Sequence, residues 1–361
     1  MSIETQAIFY MRNVYDYDPG IKCDIPLTDS MQSGFTQFSS LLRTIYEDWH
    51  SYEVSNAPSE PTKIGIMTND LENYHNLTYT VDCLYAIALA GDLYSEGAVK
   101  YLKVPKPTFK SVFKKSFAFP FQMLEKYGFG FAYYKDDKEV SEYKCCNLFH
   151  VFYENGADLI EAIKFIAVRL TQIERKKEMP ERVAFMLADY HFIMTGSINQ
   201  NPLQESVLKT IGVAASLWKK IVAVLQNEYG LIADSSFNPY VFPNRTVTFK
   251  KNKKTVCKFG INVNSLSIRL PLSFEMAKEL VLKRDQLPQS INKNIDLFGC
   301  VSCCGCKNGA KGSRIEYVNG VPICTLPYSN FQTEDSRCLR FDITNEEEVD
   351  TIIDIISKLY K

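Results

Sequence analysis

Apolar side chains recur at three- and four-residue spacing in the first half of the chain. One such series is Phe35, Phe38, Leu41, Leu42, Ile45, Trp49 and Tyr52. Residues spaced in this way lie on one face of an α-helix, so the series predicts a helix. The same spacing predicts helices over Leu159–Ile173, Pro180–Met194 and Leu203–Tyr229, with Pro180 at a first turn and Gly230 at a C-terminal stop.

The segment from residue 77 to residue 146 predicts three helices followed by a hairpin. The helices begin at Thr80, at Ser95 and near Thr108, and the hairpin strands are Phe129–Tyr134 and Glu139–Cys145. This order of elements resembles a winged helix. The resemblance implies that the third helix enters a DNA groove and that the hairpin touches the flanking backbone.

The pattern changes from helices to strands after residue 235. Strands are predicted over Arg245–Phe249, Thr255–Val263, Ser265–Leu270, Ile315–Val318, Val321–Leu326 and Leu339–Ile343. Asn319-Gly320 predicts a tight hairpin turn, Ser273 caps a helix, and Thr344 with Glu347 forms a capping box. We therefore predict an α+β protein with two modules: a mainly helical module over 1–235 with a winged-helix-like unit at about 77–146, and an α+β, cysteine-rich module with an antiparallel sheet over 236–361.

Length and composition agree with two modules. A chain of 361 residues with 46% hydrophobic content can build two cores. The formal charge of -1 means that any attraction to nucleic acid must come from a local patch. The first residues do not resemble a secretory signal, and the longest apolar runs are too short to span a bilayer. We therefore expect a cytoplasmic protein with no membrane segment.

The cysteines give the strongest chemical signal. Eleven cysteines spread over a long leaderless chain favour reduced thiols or metal ligands over disulfides. The spacing of Cys300 and Cys303 is that of a zinc knuckle, but no second pair of this kind follows, and no histidine occurs after His191. An iron–sulfur cluster is the second alternative, although Ala310 stands where a fourth cysteine would be needed. The predicted metal ligands are Cys300, Cys303, Cys306, Cys324 and Cys338, and ordinary reduced thiols are the interpretation without a metal.

A second signal is a run of lysines without an intervening acidic residue between residues 100 and 115. The predicted nucleic-acid contacts are Lys103, Lys106, Lys110, Lys114 and Lys115. Against this interpretation, the wing tip carries Asp136 and Asp137, and the third helix has no arginine to read guanine. A solvated lysine face is the alternative.

No catalytic motif is present in the sequence. The four histidines are scattered, and the glycines satisfy neither a phosphate-binding loop nor a dinucleotide fingerprint. We therefore predict a binding or regulatory protein, with nucleic acid as the partner of the 77–146 unit and a metal or small-molecule ligand in the C-terminal module. An enzyme with a cleft between the modules that uses a cysteine thiolate is one alternative, and a protein-interaction module is another. The oligomeric state stays open.

Overall fold

The computed structural model describes residues 3–52, 67–174, 179–238, 244–296, 298, 315–325 and 338–360. The chain forms two compact units. The first extends to Asn199, and the described residues from Gln200 to 238 and from 244 onward form the second. Both units contain helices and antiparallel sheets, which confirms the α+β class. No helix within these described ranges is long and apolar enough to cross a membrane.

The division between the units lies earlier in the chain than the predicted change at residue 235. Trp218 explains the difference, because its ring packs 6.0 Å from the ring of Phe249 and 5.2 Å from that of Phe259. The helices before residue 230 therefore cover the second sheet and belong with it. Their periodicity correctly indicates helices, but periodicity does not reveal which sheet an apolar face covers.

The first unit combines helices with a five-stranded antiparallel sheet. Its helices are α1 (Ile3–Asn13), α2 (Asp29–Glu47), α3 (Met67–Ala90), α4 (Lys106–Val112), α5 (Ala118–Lys126), α6 (Ala157–Gln172), α7 (Glu181–Leu187) and α8 (Tyr190–Thr195). Its strands are β1 (Asp92–Glu96), β2 (Val99–Pro105), β3 (Phe129–Lys135), β4 (Lys138–Val140) and β5 (Leu148–Tyr153). Their order in the sheet is β1-β2-β5-β3-β4.

The prediction of a helix from Ser95 through Leu102 is wrong. These residues form the hairpin of β1 and β2, which turns at Gly97 with a φ of 63°. The apolar spacing of Val99 and Leu102 fits a helix. In the structure, however, Leu102 and Val104 are buried and the residue between them is not, which is the two-residue alternation of a strand. The element order on which the winged-helix resemblance depended is therefore not the observed order. A hairpin of β3 and β4 is present, but its second strand ends at Val140, and the rest of the predicted strand Glu139–Cys145 includes a 3₁₀ turn at Tyr143–Cys145.

One face of the first sheet packs against helices through aromatic side chains. Phe149 of β5 lies 5.5 Å from the ring of Phe109 in α4 and 5.7 Å from that of Phe121 in α5. Phe121 also stacks on Phe131 of β3 at 4.5 Å. Edge-to-face and offset stacks of this kind add to the stability that apolar burial provides. The helices thus cover one face of the sheet, and the side chains that alternate with these core residues project from the other face.

Local signals set the ends of several helices in the first unit. Thr28 caps α2 by accepting the amide hydrogen of Met31 at 3.1 Å. The predicted helix from Phe35 is confirmed, and it is followed by a 3₁₀ turn in which Trp49 stacks on His50 at 3.6 Å. The predicted helix over 180–194 is split into α7 and α8, because Ala188 adopts a φ of 47° and Asp189 caps the second helix.

The second unit has the same arrangement of helices against an antiparallel sheet. Its helices are α9 (Glu205–Ile211), α10 (Ala215–Ala223), α11 (Phe274–Leu282), α12 (Gln289–Ile295) and α13 (Glu346–Tyr360). Its strands are β6 (Ile232–Asn238), β7 (Asn244–Lys251), β8 (Lys254–Asn262), β9 (Ser265–Pro271), β10 (Ile315–Val318), β11 (Val321–Cys324) and β12 (Cys338–Ile343). The five-stranded sheet has the order β12-β9-β8-β7-β6, and β10 pairs with β11.

Turns and caps of the second unit largely follow the sequence signals. Asn319 and Gly320 form the predicted hairpin turn, with φ values of 48° and 80°. Ser273 caps α11 by accepting the amide hydrogen of Met276 at 3.1 Å. The capping of α13 is displaced by one residue from the predicted box, because Asn345 accepts the amide hydrogen of Glu348 at 3.0 Å. The Glu348 carboxylate in turn accepts the amide hydrogen of residue 344 at 2.7 Å.

Candidate functional site

The predicted metal ligands lie mostly outside the described residues. This applies to Cys300, Cys303 and Cys306, and for Cys324 the structure describes only its backbone position at the end of β11. Cys338 begins β12 and its Sγ lies 3.7 Å from the carbonyl oxygen of Leu339. Among the described side chains, no group of three or more His, Cys, Asp and Glu residues could hold a metal ion. The zinc and iron–sulfur hypotheses therefore stay predictions.

The buried cysteines of the described residues are in apolar surroundings. Burial is the main cause that raises the pKa of the Cys83 and Cys257 thiols, and the charge of Asp82 adds to the effect at Cys83. Burial also raises the pKa of Cys146, against the opposing charge of Lys106. A raised pKa disfavours the thiolate, which is the nucleophilic form. These three side chains have the character of core residues.

Two of the predicted nucleic-acid lysines are held by other parts of the first unit. The Lys106 ammonium donates to the carbonyl oxygens of Tyr143, Lys144 and Cys146 at 2.7, 3.0 and 3.0 Å. Lys115 lies 3.5 Å from the buried carboxylate of Asp82. These contacts favour structural roles for both lysines.

The other three predicted lysines do not share one surface. Lys110 and Lys114 are exposed, on and just after α4, and α4 packs on the helix-covered face of the first sheet. Lys103 lies on β2 with its side chain on the opposite face, where its ammonium is 5.7 Å from the ring centroid of Tyr94. The structure therefore separates the lysines that the sequence groups together, and only Lys103 lies on the face opposite the helices.

That face of the first sheet carries a row of four rings, which we call the aromatic row: Tyr94, Tyr101, His150 and Tyr134. The rings come from β1, β2, β5 and β3, which are neighbours in the sheet. Successive ring centroids are 5.9, 4.6 and 4.4 Å apart, with interplanar angles of 18°, 30° and 37°. The rings thus stack across the sheet, and the two end rings have one ring neighbour each among the described residues.

Strand register explains why these residues meet. Tyr94 is directly opposite Tyr101, and the neighbouring pair on β2 and β5 is Lys103 with His150. Directly opposite residues of antiparallel strands point to the same face, and so do residues two positions further along a strand. The His150 ring therefore reaches Tyr101 and Tyr134 diagonally, because its directly opposite partners are Lys103 and Ala132. Sequence reasoning missed the row. Its only sequence signal is the alternation of aromatic residues with buried residues inside each strand, and the register that aligns the strands is not visible in the sequence.

A glycine next to the row has a packing role. Gly130 of β3 is directly opposite Phe152 of β5. A Cβ atom on Gly130 would lie 2.1 Å from the Phe152 ring, so the ring covers the glycine. This contact extends the aromatic surface beyond the four stacked rings.

Carboxylates outnumber cations around the aromatic row, so the row is not a positive patch. Burial and the charge of Lys103 lower the pKa of His150, whereas the charge of Glu96 raises it. The net lowering favours the neutral imidazole. The Tyr101 hydroxyl donates to Glu96 at 2.7 Å, and this hydrogen bond raises the pKa of the tyrosine. Glu139 is directly opposite Tyr134. The face therefore offers ring surface and one lysine, Lys103, with three carboxylates around the row: Asp92, which is directly opposite Lys103, and Glu96 and Glu139.

Two other features of the first unit contain hydrogen bonds within the fold. An open groove of about 640 Å³ lies beside α2, but the Tyr127 hydroxyl at its wall is already used by Asp48 at 2.8 Å and Tyr52 at 3.2 Å. Ser30 accepts a hydrogen bond from Lys100 at 2.7 Å and lies 2.6 Å from Asp158. These contacts of Ser30 join α2 to β2 and to α6.

Comparison with known proteins adds no relative to this picture. No protein-family model, curated protein or solved structure matches this chain.

Proposed function

We propose that the protein binds single-stranded nucleic acid, and that bases stack on the aromatic row of the first unit. The row itself is the observation that carries the proposal. Proteins that bind single strands without strong sequence preference use aromatic side chains as stacking platforms, because every base has a π-face. A sheet that presents a line of rings opposite its helices supplies such a platform.

The ends of the row are the places where bases would continue the stack. Tyr94 is 45% exposed, and Tyr134 is half-buried at the other end. Each has one ring neighbour in the row, which leaves a ring face for a base. His150 lies inside the row, where its neutral imidazole would offer hydrogen bonds to a base edge.

Stacking, and not charge, would supply most of the affinity at this face. Stacking of one base on an aromatic side chain is worth about 1–3 kcal/mol. The face has one lysine, Lys103, and each phosphate contact to a single strand contributes only about -0.7 to the salt slope. We therefore expect weak salt dependence, in contrast with a duplex-binding protein that reads DNA through many phosphate contacts.

The experiment measures anisotropy of a fluorescent oligothymidylate of about twelve nucleotides, which is within the usual site size. We expect Tyr94→Ala and Tyr134→Ala each to weaken binding by about 5- to 150-fold, which corresponds to one lost stack. Tyr317→Ala is the matched control, because Tyr317 is a strand tyrosine that is 69% exposed and lies in the second unit. Failure of the unmodified protein to bind, or an equal effect of all three substitutions, would contradict the proposal.

A further inference from the structure

The groove beside α2 lies at one end of the first sheet, on the side that the helices cover. Its walls come from α2, from the end of α5 with residues 127 and 128, and from the end of β5 with the two residues that follow. Tyr153 follows the buried Val151 by two residues on β5, so its ring is on the face opposite the aromatic row. The groove volume of about 640 Å³ is within the usual range of about 300–1,000 Å³ for small-molecule sites.

One wall of the groove is a stripe of hydroxyl groups on α2. Thr36, Ser40 and Thr44 are exposed and follow one another at four-residue spacing, so they lie on one face of the helix. Each hydroxyl donates to the carbonyl oxygen four residues earlier, at 3.4, 3.1 and 3.0 Å. A hydroxyl has one proton and two lone pairs, so these three oxygens keep only the capacity to accept.

Gln37 adds a further acceptor to the lining. Its amide nitrogen donates to the Ser33 hydroxyl at 3.3 Å. Its carbonyl oxygen Oε1 is buried and has no hydrogen-bond partner among the described residues. A buried oxygen with an unmade hydrogen bond costs free energy. An N–H group of a ligand in the groove would supply the missing donor.

The charges of the lining favour a cation. The carboxylates of Glu125 and Glu154 are exposed, and neither forms an ion pair or hydrogen bond with a described residue. Lys126 is the one cationic side chain in the lining within the described part of the chain. Its ammonium is already held by Asp48 and by the Ser51 hydroxyl. The two carboxylates therefore leave the groove with a negative balance.

We infer that this groove binds a small organic cation that carries a guanidinium group. A guanidinium has five N–H donors in one plane and no acceptor, which matches walls of hydroxyl, amide and carboxylate oxygens. It also stacks on aromatic rings, and the Tyr153 ring lines the groove. An ammonium carries its three donors on a single atom and would reach fewer of these oxygens. The inference goes beyond the binding of nucleic acid and does not depend on it.

The test is isothermal titration calorimetry of the full chain with agmatine, in which a short chain joins a guanidinium to an ammonium. Putrescine is the first comparison ligand, because it has the same charge and an ammonium in place of the guanidinium. The second is the bis-quaternary analogue of putrescine, in which methyl groups replace every N–H hydrogen. We expect agmatine to bind most tightly, and the bis-quaternary analogue to bind about tenfold more weakly or less, since it makes no hydrogen bond.

A pair of double variants tests the carboxylates. Glu125→Gln with Glu154→Gln should weaken agmatine binding by about 4- to 30-fold, the effect of two lost ion pairs at exposed positions. The matched control combines Glu142→Gln and Glu174→Gln, which removes the same charge from exposed positions outside the lining. The control should leave the affinity within about twofold, because salt screens charges that do not contact the ligand.

Four results would overturn the inference: no binding of agmatine, equal affinity for putrescine, equal affinity for the bis-quaternary analogue, or equal weakening by both double variants. Circular dichroism checks that the variants fold. Should the first double variant not fold, Glu154→Gln alone repeats the test at an exposed position, with an expected weakening of about 2- to 5-fold.

Discussion

The two units cover one face of a five-stranded antiparallel sheet with helices, and they differ in what they place on the opposite face. The first sheet aligns rings, from Tyr94 to Tyr134, and the second aligns cations, from Lys258 to Arg340. Stacked rings attract one another and stabilise their sheet. Lys258, Arg269 and Arg340 also take part in interactions within the chain. The same architecture thus supports a surface of stacked rings in one unit and a surface of charged side chains in the other.

The largest expected effects come from the cores on which both faces depend. Phe149→Ala and Trp218→Ala should each cost about 3–5 kcal/mol of unfolding free energy, because each removes a fully buried ring. Trp218→Ala also removes the indole N–H that donates to the carbonyl oxygen of Pro202 at 2.7 Å. Urea unfolding followed by hydrogen exchange in each unit measures the losses. Faster exchange throughout both units after either substitution would contradict two separate cores.

The next effect compares the glycines of the two outer faces. Gly130→Ala should cost about 1–3 kcal/mol, because the new methyl group must displace the Phe152 ring. Gly260→Ala meets only the hydroxyl of Ser267, which can rotate, so we expect a cost below about 0.5 kcal/mol. Thermal unfolding of the two variants checks the ranking. Equal losses would show that the outer faces are packed alike.

A smaller loss of stability is expected when one ring is removed from the aromatic row. Tyr134→Ala should cost about 0.5–1.5 kcal/mol, because it removes the stack on His150. Urea unfolding measures the loss. An unchanged unfolding free energy would contradict a stabilising role for the stacked rings.

The smallest effect is a pH dependence confined to the aromatic row. Because the folded state lowers the pKa of His150, the unfolded chain binds the proton more readily. The resulting stability is fully present above the unfolded pKa of about 6.5 and is lost as the pH falls through the folded value. His150→Gln should reduce this acid sensitivity, and Lys103→Gln should reduce it partly. Urea unfolding between about pH 5 and pH 8 measures the slopes, and unchanged slopes in both variants would contradict the assignment.

Local signals predicted the parts of the fold that depend on neighbouring residues. The α6 helix, the Asn319-Gly320 turn and the Ser273 cap are confirmed, because each depends on a few consecutive side chains. The β6 strand was missed, since Asp234-Ser235-Ser236 has the composition of a linker. Pairing with β7 makes it a strand, and this pairing depends on residues elsewhere in the chain.

The candidate site was predictable only in part for the same reason. Lys103 was identified from its charge, but the rings of the aromatic row on the same face come from four strands whose register the sequence does not display. Lys106 has the same charge and lies three residues later, yet its ammonium is held by three carbonyl oxygens. Charge patterning therefore finds lysines without distinguishing a ligand contact from a structural one. The alignment of Lys258, Arg269 and Arg340 has the same origin as the aromatic row, since it too is created by register.

The positions of the two tryptophans have a consequence for spectroscopy. The chain contains two, and each unit holds one: Trp49 and Trp218. Trp218 is fully buried beneath the second sheet, so its emission should be blue-shifted and should move to longer wavelength when that unit unfolds. Trp49 stacks on the His50 imidazole at 3.6 Å, a contact that quenches indole emission. The native spectrum should therefore be dominated by the second unit, and Trp49→Phe would leave an optical reporter for that unit alone.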